Sequence, residues 1–200
     1  MGEMYMPGAT TIGVVCKDSV VLSSEKRVSY GYMIMSKSGK KTFQITDSIG
    51  AACAGLIADM QILMREMSAY AKLYELDHNR SISVRAAAKA MGSLLFDRRY
   101  FPYLTQTIVG GVDDEEGAII YILDPLGSLI PDTYAAVGSG AEIAIGVLES
   151  AYKEGMSLSE GKELAVRAMK SALARDAASG NGLDLMIVSK EGVKEETIAV

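Results

Sequence analysis

The stretch GATTIGVVCKDSVVLSSEKRVSYGYMIMSKSGKK, residues 8–41, decides how this chain folds. Two runs rich in β-branched residues, Thr10–Val15 and Val20–Leu22, flank the turn sequence Lys17-Asp18-Ser19. Such runs on either side of a short polar turn are typical of a β-hairpin. We therefore predict that the first strand begins almost at the start of this stretch and is held rigidly in a sheet.

A threonine or serine at the first residue of such a strand can be a complete catalyst. Its hydroxyl is the nucleophile, and its own free α-amine, with an unperturbed pKa of about 7.7–8.0, is a base that works near neutral pH. A lysine on a neighbouring strand can hold the nucleophile and favour loss of its proton, and a carboxylate can orient that lysine. Glu25 and Lys41 are the candidates for this pair.

Length and composition limit the possible classes of protein. The chain has 200 residues, of which 49% are hydrophobic, and no Pro/Gly/Ser-rich linker divides it, so we expect one domain. A net charge of −5 and the absence of any Lys/Arg block longer than two argue against nucleic acid as a partner. No apolar run approaches 18 residues and no signal-peptide pattern is present, so we expect a cytoplasmic protein that does not enter a membrane.

The few cysteines and histidines suggest neither a disulfide nor a metal site. Cys16 and Cys53 lack a ligand-like spacing, and we expect reduced thiols packed as small apolar residues. His78, the only histidine, stands in Asp-His-Asn-Arg at the predicted end of a helix, which is typical of a solvated position. We therefore expect no metal and no bound cofactor.

Hydrophobic periodicity divides the chain into strands, two helices, strands, two helices and strands. Beyond the first hairpin, we predict strands at 41–45, 49–54, 104–112, 118–123, 133–137, 183–189 and 193–198, and helices at 56–76, 84–100, 141–152 and 159–174. Ser83 is the predicted cap of the second helix and Ser157 or Ser159 that of the fourth. This order is typical of an α+β fold with two stacked antiparallel sheets and helices on both outer faces, a four-layer αββα sandwich.

Six short motifs follow one another from Gly8 to the region before Val188: Gly8-Ala9-Thr10-Thr11-Ile12-Gly13, Glu25-Lys26-Arg27, Gly39-Lys40-Lys41, Ala54-Gly55, Gly138-Ser139-Gly140 and Arg175-Asp176-Ala177-Ala178-Ser179-Gly180. Together, at this spacing, they resemble a β-type subunit of an archaeal proteasome core particle, in the N-terminal nucleophile hydrolase family. The resemblance implies the same αββα fold and a threonine-type endopeptidase that degrades unfolded proteins inside a closed barrel.

The resemblance places the nucleophilic threonine directly after Gly8, where this sequence has Ala9. Counting from Gly13, Glu25 or Lys41 gives the same register, and that register also selects Lys41 over Lys40. The same hydroxyl would cut the propeptide, so we expect residues 1–8 to remain attached to a single domain of residues 9–200. Thr10 is the rival nucleophile, but its use requires a one-residue slip that turns the strand over.

The supporting residues of the family site are present. Gly55 lies between a strand and a helix, and its N–H matches the oxyanion donor; the alternative is a glycine that only the turn requires. Ser139 matches the serine that binds the nucleophilic threonine and its amine, and its alternative is a helix cap. Asp176 and Ser179 are ordinary turn residues, but in the family the Asp acts with the lysine and the Ser with the α-amine. Glu25 stands where many relatives have Asp.

The same register predicts a substrate pocket. Val28, Cys53 and Ile57 would line it, with Gly39 at its base, so the pocket would favour hydrophobic side chains of the substrate. Ser29 would hold the substrate backbone in an extended form by strand-like pairing.

The resemblance also implies partners. These are other β subunits in two stacked seven-membered rings, rings of α-type subunits, an ATPase regulator acting indirectly, and unfolded polypeptide substrates. The predicted first helix has more apolar positions than one buried face needs, which favours a subunit contact over a helix buried in a monomer. The surplus positions are Leu56, Ile62, Met67, Leu73 and Leu76.

Three readings follow. In the first, the chain is a proteasome β subunit, and hydrolysis belongs to a processed threonine form or to partner subunits. In the second, Ala9 is native and the chain is a structural component of the ring; some archaeal lineages have two β types, one without the nucleophile. In the third, the chain is a stand-alone amidohydrolase of the same fold that acts on a small molecule. The sequence is compatible with an engineered Ala9 and with a native one, and the intact Lys41, Asp176 and Ser179 favour a recent or deliberate loss of the nucleophile.

Overall fold

The structure, a computed structural model, describes residues 8–199. The strands are Thr10–Val15 (β1), Ser19–Glu25 (β2), Val28–Tyr30 (β3), Met33–Ser36 (β4), Thr42–Gln44 (β5), Ile49–Gly55 (β6), Thr105–Asp113 (β7), Gly117–Leu123 (β8), Ile130–Asp132 (β9), Tyr134–Gly138 (β10), Leu183–Ser189 (β11) and Gly192–Ile198 (β12). The helices are Ile57–His78 (α1), Val84–Asp97 (α2), Ala141–Ala151 (α3) and Leu158–Leu173 (α4). Of the predicted propeptide, residues 1–7 lie outside the described residues.

Two five-stranded antiparallel sheets form the centre of the molecule. The first has the order β10-β1-β2-β11-β12 and the second the order β5-β6-β7-β8-β9. The β1–β2 hairpin is present as predicted, in the register that pairs Val14 with Val21 and Thr11 with Ser24. β10 pairs along the other edge of β1, from Thr10 opposite Gly138. The first residues of the chain's first strand are therefore held from both sides.

Three apolar clusters fix the order of the layers. Met60, Met91 and Val109 belong to a cluster that joins α1 and α2 to the second sheet. A separate cluster, with Ile12 and Leu164, joins α3 and α4 to the first sheet. A third cluster, which includes Leu22, Ile108 and Met186, lies between the sheets. The result is the four-layer αββα sandwich, which confirms the predicted fold class.

The structure adds elements that the sequence pattern did not predict. The β3–β4 hairpin and β9 are short and mostly exposed, so they lack the alternation of buried and exposed residues that marks a half-buried strand. The α2 helix ends at Asp97 rather than Tyr100. Its last turn closes with bonds from the N–H of Arg98 to Leu95 and of Arg99 to Phe96, so Pro102 sets only an outer limit.

The α1 helix is apolar beyond its buried face. Leu73 and Leu76 are 60% and 69% exposed, and Leu56 and Ile62 are also exposed. Met67 is different, because it is 1% exposed and packs in the core, so the prediction that it belongs to the surplus surface was wrong. Among residues 8–199, no helix combines the length and the apolar character needed to cross a membrane.

Candidate active site

Ala9 lies fully buried just before β1, beside the loop that leads into α3. Its N–H donates to Ser139 Oγ at 3.2 Å. Gly138, with a φ of +96°, lets the two backbones approach closely, since a Cβ there would lie 2.0 Å from the Ala9 carbonyl oxygen. Ser139 is not the cap of α3, because the cap residue is Gly140, without a side-chain bond. Its hydroxyl instead faces the backbone of Ala9.

Asp176 accepts hydrogen bonds from two hydroxyl groups near Ala9. Its Oδ2 accepts from Ser139 Oγ and from Ser179 Oγ, each at 2.6 Å. Ser179 Oγ in turn lies 2.7 Å from Thr10 Oγ1. The loop after α4 positions these groups, because Asp176 Oδ1 also accepts from the N–H of Ala178 and makes an Asx turn. Side chains from three segments far apart in sequence therefore form one hydrogen-bonded chain around Asp176.

Glu25 and Lys41 form a buried ion pair next to this loop. Their side chains are 0% and 2% exposed, and Lys41 Nζ donates to Glu25 Oε1. Lys41 Nζ also donates to the carbonyl of Arg27 at 2.6 Å. Glu25 Oε2 accepts from the N–H groups of Arg27 and Gly180, at 2.6 and 3.0 Å. Each charge thus has hydrogen bonds besides the pair itself, as a buried charge requires.

Burial changes the pKa values of both members of this pair. It raises the pKa of Glu25 and lowers the pKa of Lys41, in each case because the charged form loses water. The partner's charge opposes both changes. A lysine whose pKa is lowered exchanges a proton with a neighbouring hydroxyl more readily at neutral pH. In the structure the ion pair of Lys41 is with Glu25, while Asp176 binds the two serines.

Gly55 ends β6, and its φ of +137° is a conformation that other residues rarely adopt. A Cβ at this position would lie 2.1 Å from the carbonyl oxygen of Leu104. The N-cap position of α1 is the next residue, Leu56, whose N–H donates to the same carbonyl at 2.7 Å. Backbone geometry therefore requires glycine here, and an oxyanion role for its N–H stays a prediction.

A cavity of about 450 Å³ opens beside the ion pair. Lys41 and Gly55 line it, together with three of the predicted substrate-binding residues, Val28, Ser29 and Ile57. Lining residues that the sequence did not indicate include Arg27, Tyr30, Met35 and Leu104. The side chains are mostly apolar, which suits a hydrophobic side chain of a substrate.

Two predicted pocket residues lie elsewhere. Cys53 is fully buried in the cluster beneath α1, with Sγ 3.6 Å from Thr107 Oγ1, because the alternation along β6 turns it towards the helix layer. Gly39 lies behind Val28, where a Cβ would come 2.4 Å from Val28 Cγ2. Gly39 therefore leaves room for Val28 rather than forming the cavity wall.

Thr10, the rival candidate from the sequence, lies outside the cavity lining. Its side chain is fully buried, bonds to Ser179 and does not line the cavity. Strand alternation points it to the face opposite that of Ala9, which packs between the sheets. Among residues 8–199, no group of three or more His, Cys, Asp or Glu side chains gathers as a metal site.

Comparison with known proteins gives consistent matches. The family model described as "Proteasome subunit" matches residues 6–188. The chain is 50% identical over 195 residues to "Proteasome subunit beta 1" of Nitrosopumilus maritimus, covering 98% of each protein. It is 48% identical over 200 residues to "Proteasome subunit beta 2" of Pyrobaculum arsenaticum, covering 100% of this chain and 98% of that protein. It is 52% identical over 190 residues to "Proteasome subunit beta 1" of Cenarchaeum symbiosum, covering 95% and 97%.

Proposed function

The chain belongs to the proteasome subunit family, as an archaeal β-type subunit, and from that premise we propose that it builds the wall of a proteolytic core particle without itself cleaving peptide bonds. The family is one of threonine proteases, and the nucleophile position here is Ala9. A methyl group has neither a lone pair to attack a carbonyl nor a proton to give up. The chain's contribution is then to assembly and to the chamber.

One observation carries this proposal. Polar groups adjoin the backbone of a residue whose side chain has no polar atom. Ser139 accepts from the Ala9 N–H, Asp176 accepts from Ser139, and Lys41, paired with Glu25, lines the adjacent cavity. Buried charges such as the Glu25–Lys41 pair are costly to maintain, and active sites are where such groups concentrate. These groups suit a threonine hydroxyl at position 9.

With threonine at position 9 the groups take definite roles. After removal of residues 1–8, the free α-amine would be the base, and Ser139 and Asp176 would hold it in place. Lys41, oriented by Glu25, would favour loss of the hydroxyl proton. The Gly55 N–H would stabilise the tetrahedral oxyanion, and Ser29 would hold the substrate in an extended form.

In the chain as it is, Ala9 blocks both reactions. Self-cleavage needs the same hydroxyl to attack the Gly8 carbonyl, so we propose that residues 1–8 stay attached. The N–H of Ala9 is then an amide rather than an amine, and the base is missing together with the nucleophile.

The proposed assembly is that of a proteasome core. Two stacked seven-membered rings of β subunits would enclose the chamber, with rings of α-type subunits outside and an ATPase regulator acting on entry. Unfolded polypeptides would be the substrates and the cytoplasm the location. Hydrolysis after hydrophobic residues would come from β subunits that have the threonine, through a cavity such as the one lined by Val28 and Ile57.

A native structural subunit is the second form of this proposal. The relatives' names carry the numbers 1 and 2, which favours a setting with more than one kind of β subunit. A stand-alone small-molecule amidohydrolase is disfavoured, because the family match spans residues 6–188 and is not confined to the site.

The test is the intact mass of the purified chain, co-expressed with its α-type partner. We expect the full-length mass of 21.3 kDa and no labelling by an epoxyketone or boronate. The Ala9→Thr variant should lose residues 1–8 and gain hydrolysis after hydrophobic residues.

Ala9→Val is the matched control, since valine has the shape of threonine without the hydroxyl, and it should stay full-length and inactive. A product that begins at Ala9 or Thr10 in the unaltered chain would overturn the proposal. If the Ala9→Thr variant folds and assembles but keeps residues 1–8 and hydrolyses no peptide, then the chain lacks more of the catalytic site than the hydroxyl.

A further inference from the structure

We propose that Arg27 is a positioning residue, which fixes the loop bearing Asp176 and Ser179 against the strand bearing Glu25. The inference rests on the proposed function, since the reaction it serves is that of a chain with threonine at position 9. Arg27 is the third residue of the Glu25-Lys26-Arg27 motif, and the family resemblance implies no role for its side chain.

The guanidinium group of Arg27 holds the 176–181 loop at two points. Its Nη1 donates to the carbonyl oxygen of Ala177 at 2.6 Å, and its Nε donates to Asn181 Oδ1 at 2.9 Å. These acceptors lie on either side of Ser179. The planar guanidinium presents several N–H groups in a fixed fork, so it can hold both acceptors at once.

The main chain of Arg27 is bonded to the ion pair on the other side. Its N–H donates to Glu25 Oε2, and its carbonyl oxygen accepts from Lys41 Nζ, both at 2.6 Å. One residue therefore contacts both halves of the site, the Glu25–Lys41 pair and the loop that carries Asp176.

The loop is shaped around this side chain. A Cβ on Gly180 would lie 2.2 Å from Arg27 Nη2, so glycine leaves room for the guanidinium in the position that it occupies. Asn181 adopts a φ of +67°, the left-handed region that asparagine tolerates better than most residues, and in that conformation its side chain reaches Arg27 Nε. Gly180 and Asn181 thus both fit the Arg27 side chain. This observation is separate from the bonds that the Arg27 main chain makes to the Glu25–Lys41 pair.

Without the guanidinium, Asp176 and Ser139 would hold the α-amine less well. Hydrogen bonds that would still join the 176–181 loop to the end of β2 include those from the Gly180 N–H to Glu25 and from the Lys26 N–H to the Gly180 carbonyl. A shift of about 1 Å in a group that orients a reactant can cost about 100-fold in rate. The loss would fall on the chemical step rather than on substrate binding.

The test compares variants in the assembled particle that carries Ala9→Thr. We expect Arg27→Gln to lower kcat by about 10- to 100-fold while KM changes by less than about threefold, because the lost interaction acts through the positioned groups. Arg27→Lys keeps the charge but loses the fork, so its kcat should stay close to that of Arg27→Gln. Arg80→Gln, the same chemical change at an exposed residue paired with Glu115, should leave both constants unchanged.

A rise in KM with kcat unchanged would overturn the inference, since it would make Arg27 a substrate contact. Full kcat in Arg27→Lys would overturn it as well, because charge alone would then suffice.

Hydrogen exchange on the unaltered Ala9 chain separates this inference from the proposed function. Arg27→Gln should speed exchange of the Ala178 and Gly180 amides, which bond to Asp176 and Glu25, and leave the α1 amides unchanged. Unchanged exchange at both loop amides would overturn the inference whatever the activity of Ala9→Thr.

Discussion

At the scale of single residues, two buried threonines differ in what their hydroxyls contact. Thr11 Oγ1 lies 2.8 Å from the Cys53 carbonyl and 3.0 Å from Ser24 Oγ. Thr42 Oγ1 is the buried side-chain oxygen that has no hydrogen-bond partner within residues 8–199. Burial removes water from both, but only Thr11 recovers hydrogen bonds in exchange.

Replacing each threonine by the isosteric valine should therefore give different results. We expect Thr42→Val to leave the free energy of unfolding unchanged or to raise it, because an unsatisfied polar atom is removed. Thr11→Val should lower it by about 1–3 kcal/mol, because Ser24 and the Cys53 carbonyl lose a partner. Urea unfolding measures both. Comparable destabilisation by Thr42→Val would mean that its hydroxyl has a partner, such as an ordered water.

The two cysteines give a second prediction at this scale. Both are free and buried, and burial raises the pKa of Cys16 to about 11 and that of Cys53 to about 12. The thiolate is the reactive form, so at pH 8 the folded chain should react with a disulfide reagent far more slowly than the chain in urea. Fast reaction of either thiol in the folded protein would contradict this burial.

At the scale of elements, α4 begins with a complete capping box. The Ser157 side chain accepts from the Glu160 N–H, and the Glu160 side chain accepts from the Ser157 N–H. The structure thus decides between the two predicted caps, Ser157 and Ser159. The α4 helix packs on β1, the strand that follows Ala9, and leads into the loop that carries Asp176, so its stability supports the candidate site.

Ser157→Ala should lower the free energy of unfolding by about 0.5–2 kcal/mol, because the helix N-terminus loses an acceptor for its free N–H groups. Ser159→Ala is the control. Ser159 is a residue of α4 with an exposed side chain, and we expect its replacement to change the free energy of unfolding by no more than about 0.5 kcal/mol. Thermal or urea unfolding compares them. Equal losses in the two variants would contradict the assigned cap.

At the scale of the whole molecule, two segments expose the most large apolar side chains among residues 8–199. One is the outer face of α1, with Leu73 and Leu76, and the other is the β3–β4 hairpin, with Tyr32 and Met33. Large exposed patches on a small protein indicate contacts with other subunits. The hairpin also supplies Met35 to the wall of the cavity, so an assembly that covers it would help to shape the substrate site.

We therefore expect the chain made alone to be a monomer or small oligomer, and to enter a large barrel when its α-type partner is co-expressed. Closed cyclic assembly buries these apolar surfaces and encloses the chamber. Light scattering or sedimentation measures the mass of each preparation. A chain that stays monomeric and does not bind the α-type partner at micromolar concentration would contradict the proposed assembly and favour the stand-alone amidohydrolase.

The sequence by itself determined the fold class, the β1–β2 hairpin and the order of helices and strands. These features rest on local patterns, because β-branched runs and three- and four-residue apolar steps report the conformation of the segment that contains them. The family resemblance also indicated Glu25, Lys41, Ser139, Asp176 and Ser179, and the structure brings these five residues into one region.

Only the tertiary structure decided which way fully buried residues face and which distant groups meet. A strand buried on both sides is apolar on both sides, so its pattern does not say that Cys53 points to α1 rather than to the cavity. The helix α1 is likewise apolar on more than one face, so its pattern does not say that Met67 packs in the core rather than on the exposed apolar face. The contacts of Thr10 with Ser179 and of Arg27 with Ala177 join residues 169 and 150 positions apart. No local pattern encodes such a contact, because it exists only when the layers of the sandwich have packed.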